Sequence, residues 1–369
     1  MEKTLNIGID CRMARESGIG RYISNLVKNL SEMDLVNSYT LYVYEDGYFR
    51  DLNLPKNFKL VTAPFRWHSF AEQFAFNTLL KSGNHDLVHF PQTNMPIFYN
   101  KKFIVTIHDL TMVKLATGRA STLFYPFYFI KLQFFKFILR KALFNSHKIV
   151  TVSEFVKKEI INNYQINPDK IQVIYNGIDT KLVRNPQNIS YFEKNYNINK
   201  PFIFYIGNAY PHKNLERLIL AFTAFNKEDK YNLVLAGKPD FFYERLRNTF
   251  NNLENLKFVG GISDEELSKF YSSCEFFIYP SLSEGFGIQI VEALGLGAKV
   301  CCSNNTVFPE IAQNNAIYFN PQDIEDIISS LNRTISSKNR ITKEEMERLN
   351  EKFNWNISAR MHLNIYEKA

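Results

Sequence analysis

The chain has 369 residues, 45% of them hydrophobic and 22% charged, enough apolar surface for two ordinary cores and too much for intrinsic disorder. Its four cysteines, Cys11, Cys274, Cys301 and Cys302, make neither a disulfide framework nor a Cys-x-x-Cys pair. A reducing compartment is therefore expected, and with no signal-peptide core and no bilayer-length apolar run, secretion and membrane spanning are not. The net charge of +7 sits in the first half, where residues 1–200 carry 26 Lys/Arg against 16 Asp/Glu, while residues 201–369 carry 18 against 21.

In chain order, short apolar runs alternate with helical patterns, which predicts parallel sheets with crossover helices. The first series has strands at 4–10, 39–45, 57–62, 86–90, 103–107, 148–152 and 171–174. Helices are predicted over 20–31, 70–81, 121–146 and 153–163. After the first strand, Gly18 and Gly20 immediately precede a helix, where glycine lets a ligand approach the backbone and free N–H groups attract phosphate or a sugar hydroxyl. Such a Gly-x-Gly is equally a merely tight turn, and Ile23 stands where a dinucleotide fingerprint would need its third glycine. His108 follows the strand at 103–107, a loop position that suits a ligand contact as well as a structural histidine.

Residues 101–150 hold nine basic residues against Asp109 alone, interleaved with Phe124, Tyr125, Phe127, Tyr128, Phe129, Phe134, Phe135 and Phe137. One reading makes the aromatics the core stripe of a helix and Lys131, Lys136, Arg140 and Lys141 its solvated face. The other adds contact with an anionic membrane surface. No nucleic-acid motif accompanies the charge, so nucleic acid is not an expected partner.

The Asn-rich stretch from Tyr175 to Lys200, with Pro186, reads as an interdomain connection. The second series has strands near 202–206, 232–236, 256–259, 275–279, 298–302 and 316–319, and helices near 213–225, 241–251, 264–273, 287–296 and 321–335. Lys213, next to His212, is placed at the start of the first of these helices. A lysine there opposes the helix dipole unless an anion satisfies both positive ends. From Tyr279 to Gly297 a strand ends, a loop with Glu284, Gly285, Phe286 and Gly287 follows, and an apolar helix carries Glu292. A carboxylate on so apolar a helix calls for partners, and a ribose diol would supply them; Glu284 at the helix start could accept from sugar hydroxyls. Both glutamates could equally reach water. There is no Asp-x-Asp, and His85 and His89, four apart, fall in a strand context that denies them a shared helical face, so no metal is expected.

Ser17–Tyr22, Thr106–Leu110, Val152–Phe155, Tyr175–Asp179, Gly207–Asn214, the Glu284/Glu292 segment and Phe308–Ile311 occur in an order that resembles the retaining glycosyltransferases of family 4. The likeness is particularly to bacterial mannosyltransferase-like members of surface-polysaccharide assembly. The resemblance implies a GT-B fold, two doubly wound Rossmann-like domains facing across a cleft. They would span 1–180 with a returning helix at 355–369, and 181–354. It implies that Glu292 binds the nucleotide ribose, Glu284 the donor sugar, Lys213 the diphosphate and His108 the reacting sugar, with Gly18 and Gly20 lining the cleft. Many relatives carry an arginine beside the diphosphate lysine; His212 stands there instead and is expected to serve as a pH-sensitive partner, unless another basic residue does. The implied reaction moves a hexose, mannose from GDP-mannose, to a polyprenyl-diphosphate-linked glycan with retention. No metal or other cofactor is implied, and the place is the inner face of the cytoplasmic membrane. A nucleotide-sugar epimerase and a non-catalytic scaffold subunit are the alternatives.

Overall fold

The computed structural model describes residues 4–45, 47–114, 125–337 and 341–369. The chain divides into two compact units, 1–177 with 354–369, and 178–353.

In the first unit, Asn6–Asp10 (β1), Ser38–Val43 (β2), Phe58–Thr62 (β3), Leu87–Phe90 (β4), Phe103–Ile107 (β5), Lys148–Thr151 (β6) and Ile171–Val173 (β7) form one sheet in the order β3-β2-β1-β4-β5-β6-β7. Every pairing is parallel. β4 and β5 are buried at every residue, because helices cover both faces of such a sheet and leave no polar side for alternation. The last helix, Trp355–Lys368, leaves the second unit and packs on helix Ser17–Met33 of the first. Where the chain crosses over, the Ile178 N–H donates to the Phe353 carbonyl at 2.9 Å.

In the second unit, Phe202–Ile206 (β8), Asn232–Ala236 (β9), Leu256–Gly260 (β10), Phe276–Tyr279 (β11), Val300–Ser303 (β12) and Ala316–Phe319 (β13) give the order β10-β9-β8-β11-β12-β13, again all parallel. In both sheets the strand order reverses beside the first strand, between β1 and β4 and between β8 and β11. That is the place where crossovers leave on opposite faces and open a crevice at the carboxyl ends of the strands.

Four expectations are corrected. Gly18 and Gly20 do not precede a helix: they lie in the first turn of Ser17–Met33. The helix expected from 213 begins at Leu215, and Lys213 ends a one-turn 3₁₀ segment, Pro211–Lys213, closed by Asn214 at φ 62°. The stretch 175–200 is not all connection, since Ile189–Tyr196 is a helix capped by Asn188. The helix expected over 70–81 is interrupted by a π-helical turn at Glu72–Phe76 before Asn77–Ser82.

Among the described residues the core-stripe reading of the aromatic segment also fails. In helix Tyr125–Asn145 the buried residues are Leu132, Ile138, Leu139, Ala142 and Leu143, whereas Phe129, Phe134 and Phe137 are exposed and Phe135 is half-buried. Phe124 and the start of the helix expected from 121 lie outside the described residues, as do the side chains of Tyr125, Phe127 and Tyr128. All four cysteines are buried free thiols.

Candidate functional site

The second unit brings two loops together at its β8/β11 reversal. After β8, the chain turns through Pro211–Lys213 and holds Asn214 in the left-handed region, where its side-chain amide donates to the Pro280 and Pro321 carbonyls at 3.2 and 2.7 Å. After β11, the Leu282 N–H donates to the His212 carbonyl at 2.7 Å, and Ser281 Oγ lies 3.1 Å from the same carbonyl. The two loops are thus one hydrogen-bonded unit.

Within it Lys213 and Glu284 form an ion pair, with side chains 9% and 15% exposed. Lys213 Nζ also donates to Tyr279 Oη at 3.2 Å, and Ser281 Oγ lies 2.8 Å from Glu284 Oε1. Burial pushes the Glu284 carboxyl up, but the charges of Lys213 and His212, with hydrogen bonds from Lys213 and Ser281, more than offset it and hold it below its ordinary value. Glu284 is therefore ionised, an acceptor for hydroxyls. Burial and the Glu284 charge push the Tyr279 phenol well up, so it stays protonated and donates to Glu284 Oε1 at 3.3 Å.

Gly287 starts helix Ile288–Gly295 at φ 81°, and a Cβ there would lie 3.1 Å from the Phe308 ring. A side chain at that point would be strained in backbone and crowded at once. Gly285 and the buried Phe286 complete the turn, and Phe286 meets Phe353 edge-on at 5.7 Å. Glu292, on the helix, is 1% exposed, and Tyr271 Oη donates to it at 3.4 Å.

In the first unit, Gly18 and Gly20 play different parts. A Cβ on Gly20 would fall 2.5 Å from the Ala14 carbonyl oxygen, so Gly20 is needed for the helix start to pack on the preceding turn. A Cβ on Gly18 meets nothing within 4 Å, and the residue is exposed. His108, at the end of β5, donates from Nε2 to the Pro91 carbonyl at 2.9 Å, which leaves Nδ1 as an acceptor. Burial lowers its pKa, only partly opposed by that bond and Asp109, so the ring is neutral near pH 7.

Sequence reasoning missed a buried relay behind His108. His362 Nδ1 must donate to the Ser358 carbonyl, at 2.7 Å, so its Nε2 accepts from Tyr22 Oη at 2.7 Å. Tyr22 then accepts from Thr106 Oγ1 at 3.0 Å, Thr106 accepts from His89 Nε2 at 2.8 Å, and His89 Nδ1 accepts from Tyr366 Oη at 2.7 Å. The Tyr22 ring stands edge-on to His108 at 4.7 Å. No sequence signal joins residues some 340 positions apart; only the returning helix does. Ser281 and Tyr279 were legible as motif members but not as partners of Glu284. Among the described residues, no group of three or more His, Cys, Asp or Glu is arranged to hold a metal ion.

A family model described as Glycosyltransferase Family 4 matches residues 17–182, and one described as Glycosyl transferases group 1 matches 188–353. The chain belongs to this glycosyltransferase family. It is 29% identical over 265 residues to the O-antigen chain mannosyltransferase RfbU of Salmonella typhimurium, covering 70% of this chain and 68% of that protein. It is 29% identical to O-antigen chain mannosyltransferase B of Escherichia coli over 51% of each. Among solved structures, a sucrose-phosphate synthase from Thermosynechococcus elongatus superimposes with a TM-score of 0.77 at 18% identity, over 99% of this chain and 98% of that one. Anabaena HepE in complex with UDP-glucose does so with 0.75 at 14% identity, over 99% and 100%. The fold of this glycosyltransferase is GT-B, two Rossmann-like units in one chain.

Proposed function

We propose that this glycosyltransferase moves a hexose, mannose from GDP-mannose, to a polyprenyl-diphosphate-linked glycan with retention of configuration and without a metal. The observation that carries the reading is the Lys213–Glu284 pair held at the β8/β11 reversal, with Glu292 buried on the helix that follows. A cation, an ionised hydroxyl acceptor and a buried carboxylate there match diphosphate, sugar and ribose in turn. The names of the two O-antigen chain mannosyltransferases support mannose as the sugar and a glycan chain as the acceptor.

On this reading the bond from the anomeric carbon to the diphosphate breaks as Lys213 and the N–H groups at the start of Ile288–Gly295 meet the charge on the leaving oxygen. The acceptor hydroxyl attacks from the same face and its proton passes to the departing phosphate oxygen. Glu284 orients the sugar through its hydroxyls. His108 contacts the reacting sugar through Nδ1, and His212 supplements Lys213. The basic first half favours an anionic membrane surface, where such an acceptor is presented; among the described residues no helix is long and apolar enough to cross a membrane.

The test is a thermal-shift screen of the purified chain against GDP-, UDP-, dTDP- and ADP-sugars without added metal, with Glu292→Ala as control. Selective stabilisation by GDP-mannose, lost in the variant, is expected. Stabilisation by another nucleotide alone overturns the donor assignment. Donor conversion without any acceptor points to an epimerase, and no shift with any donor points to a scaffold subunit.

A further inference from the structure

Helix Tyr125–Asn145 is apolar on two opposite sides. One side, with Leu132, Ile138, Leu139, Ala142 and Leu143, is packed into the first unit. The other carries Ile130, Phe134, Phe137 and Phe144 at positions i, i+4, i+7 and i+14, a single helical stripe. All four are exposed, by 65, 39, 54 and 51%. Lys141 falls at i+11 of the same stripe and Arg140 beside it, and between Asp109 and Glu154 the chain has no acidic residue. Within the first unit the exposed Phe74 and Phe98 pair at 5.4 Å, so exposed aromatics are not confined to this helix.

A stripe of this kind left in water forgoes the free energy of burial, and no intramolecular partner covers it among the described residues. We propose that it is a membrane-docking face whose occupant is an anionic lipid bilayer. The phenylalanines enter the headgroup and acyl boundary, while Arg140 and Lys141 pair with lipid phosphates. The chemistry fits both components of that surface: apolar side chains for the acyl region, and Arg140 and Lys141, in a run of sequence without acidic residues, for the headgroups. A second copy of this face fits poorly, because stacking two such stripes sets cation against cation. The proposal deepens the reading of a membrane-presented acceptor by assigning contact to one helix and by making it partly apolar, not only electrostatic.

The two components separate by salt. Surface charge contributes roughly five-fold in partitioning per basic residue, and raising ionic strength from ~0.05 to ~0.5 M screens it. Insertion of phenylalanine survives salt. The experiment is co-sedimentation of the full chain with phosphatidylcholine vesicles, with and without phosphatidylglycerol, at both ionic strengths. We expect binding that requires the anionic lipid at low salt and leaves a salt-resistant bound fraction. Phe137→Ser with Phe144→Ser is expected to lose that fraction by roughly ten-fold or more while melting like the parent, both positions being exposed. In a second measurement, Phe137→Trp emission is expected to shift to the blue when phosphatidylglycerol-containing vesicles are added.

Complete release of the parent at high salt, equal binding by the double serine variant, or unchanged tryptophan emission overturns the proposal. So does self-association of the parent that disappears in the double variant, which would make the occupant a second copy. None of these readouts needs sugar transfer, so failure of the hexosyltransferase reading leaves the vesicle result standing, and the reverse holds equally.

Discussion

Two glycines with a single residue between them illustrate what residue type alone conceals. Gly18 and Gly20 share a motif, yet the space around them separates a residue the fold requires from one it does not. Gly20→Ala drives a methyl into the Ala14 carbonyl and is expected to destabilise the chain by about 1–3 kcal/mol. Gly18→Ala meets no atom and is expected to leave the melting temperature unchanged or slightly raised. If Gly18 faces substrate, the same change lowers transfer at least ten-fold; a folded, fully active Gly18→Ala chain would remove Gly18 from the site, and a Gly20→Ala chain as stable as the parent would refute the packing argument. Glu284 shows the same division. Its loop position is legible in the sequence, but its ionised state depends on Lys213, 71 positions earlier, which only the β8/β11 reversal brings beside it.

At the scale of elements, strand and helix spans are largely readable because a buried parallel strand is a short apolar run and its crossover helix a longer periodic one. The reading breaks where periodicity carries no information. Helix Tyr125–Asn145 is apolar on opposite sides, so its pattern cannot tell the packed stripe from the exposed one. The terminal helix shows what an element adds in place: His362 and Tyr366 close the relay through Tyr22, Thr106 and His89. Burial lowers the His362 pKa to about 4 and His89 well below its ordinary value. The unfolded chain takes up a proton at His362 near pH 6.5, while the folded chain refuses it until about 4. The folded state is thus fully favoured above pH 6.5 and loses stability as pH falls through that window, by on the order of 3 kcal/mol for this one group. Urea unfolding at pH 7.5 and pH 5 should show the loss, and His362→Gln, which can keep both hydrogen bonds without titrating, should reduce the slope while His89 retains the rest. An unchanged slope in His362→Gln would mean that His362 titrates normally in the fold.

For the molecule as a whole, the chain contributes its last sixteen residues to the first unit after completing the second. Truncation after Phe353 removes one hydrogen-bond partner each of Tyr22 and His89 and uncovers the face of Ser17–Met33. The first unit is expected to melt at a lower temperature while any nucleotide-dependent stabilisation of the second unit persists, as read by calorimetry with and without donor. Loss of both together would show that the second unit cannot hold its fold without the first. By itself the sequence determined the α/β class, the alternation of two strand–helix series, the order of the motifs and the excess of cations in the first half, because these depend on local periodicity and composition. Tertiary structure alone decided that Lys213 and Glu284 form a pair, that Gly20 is a packing residue, that the final helix completes the first core and that a phenylalanine stripe faces outward. Each of these depends on what stands across from a residue in space, and a pattern along the chain carries no record of that.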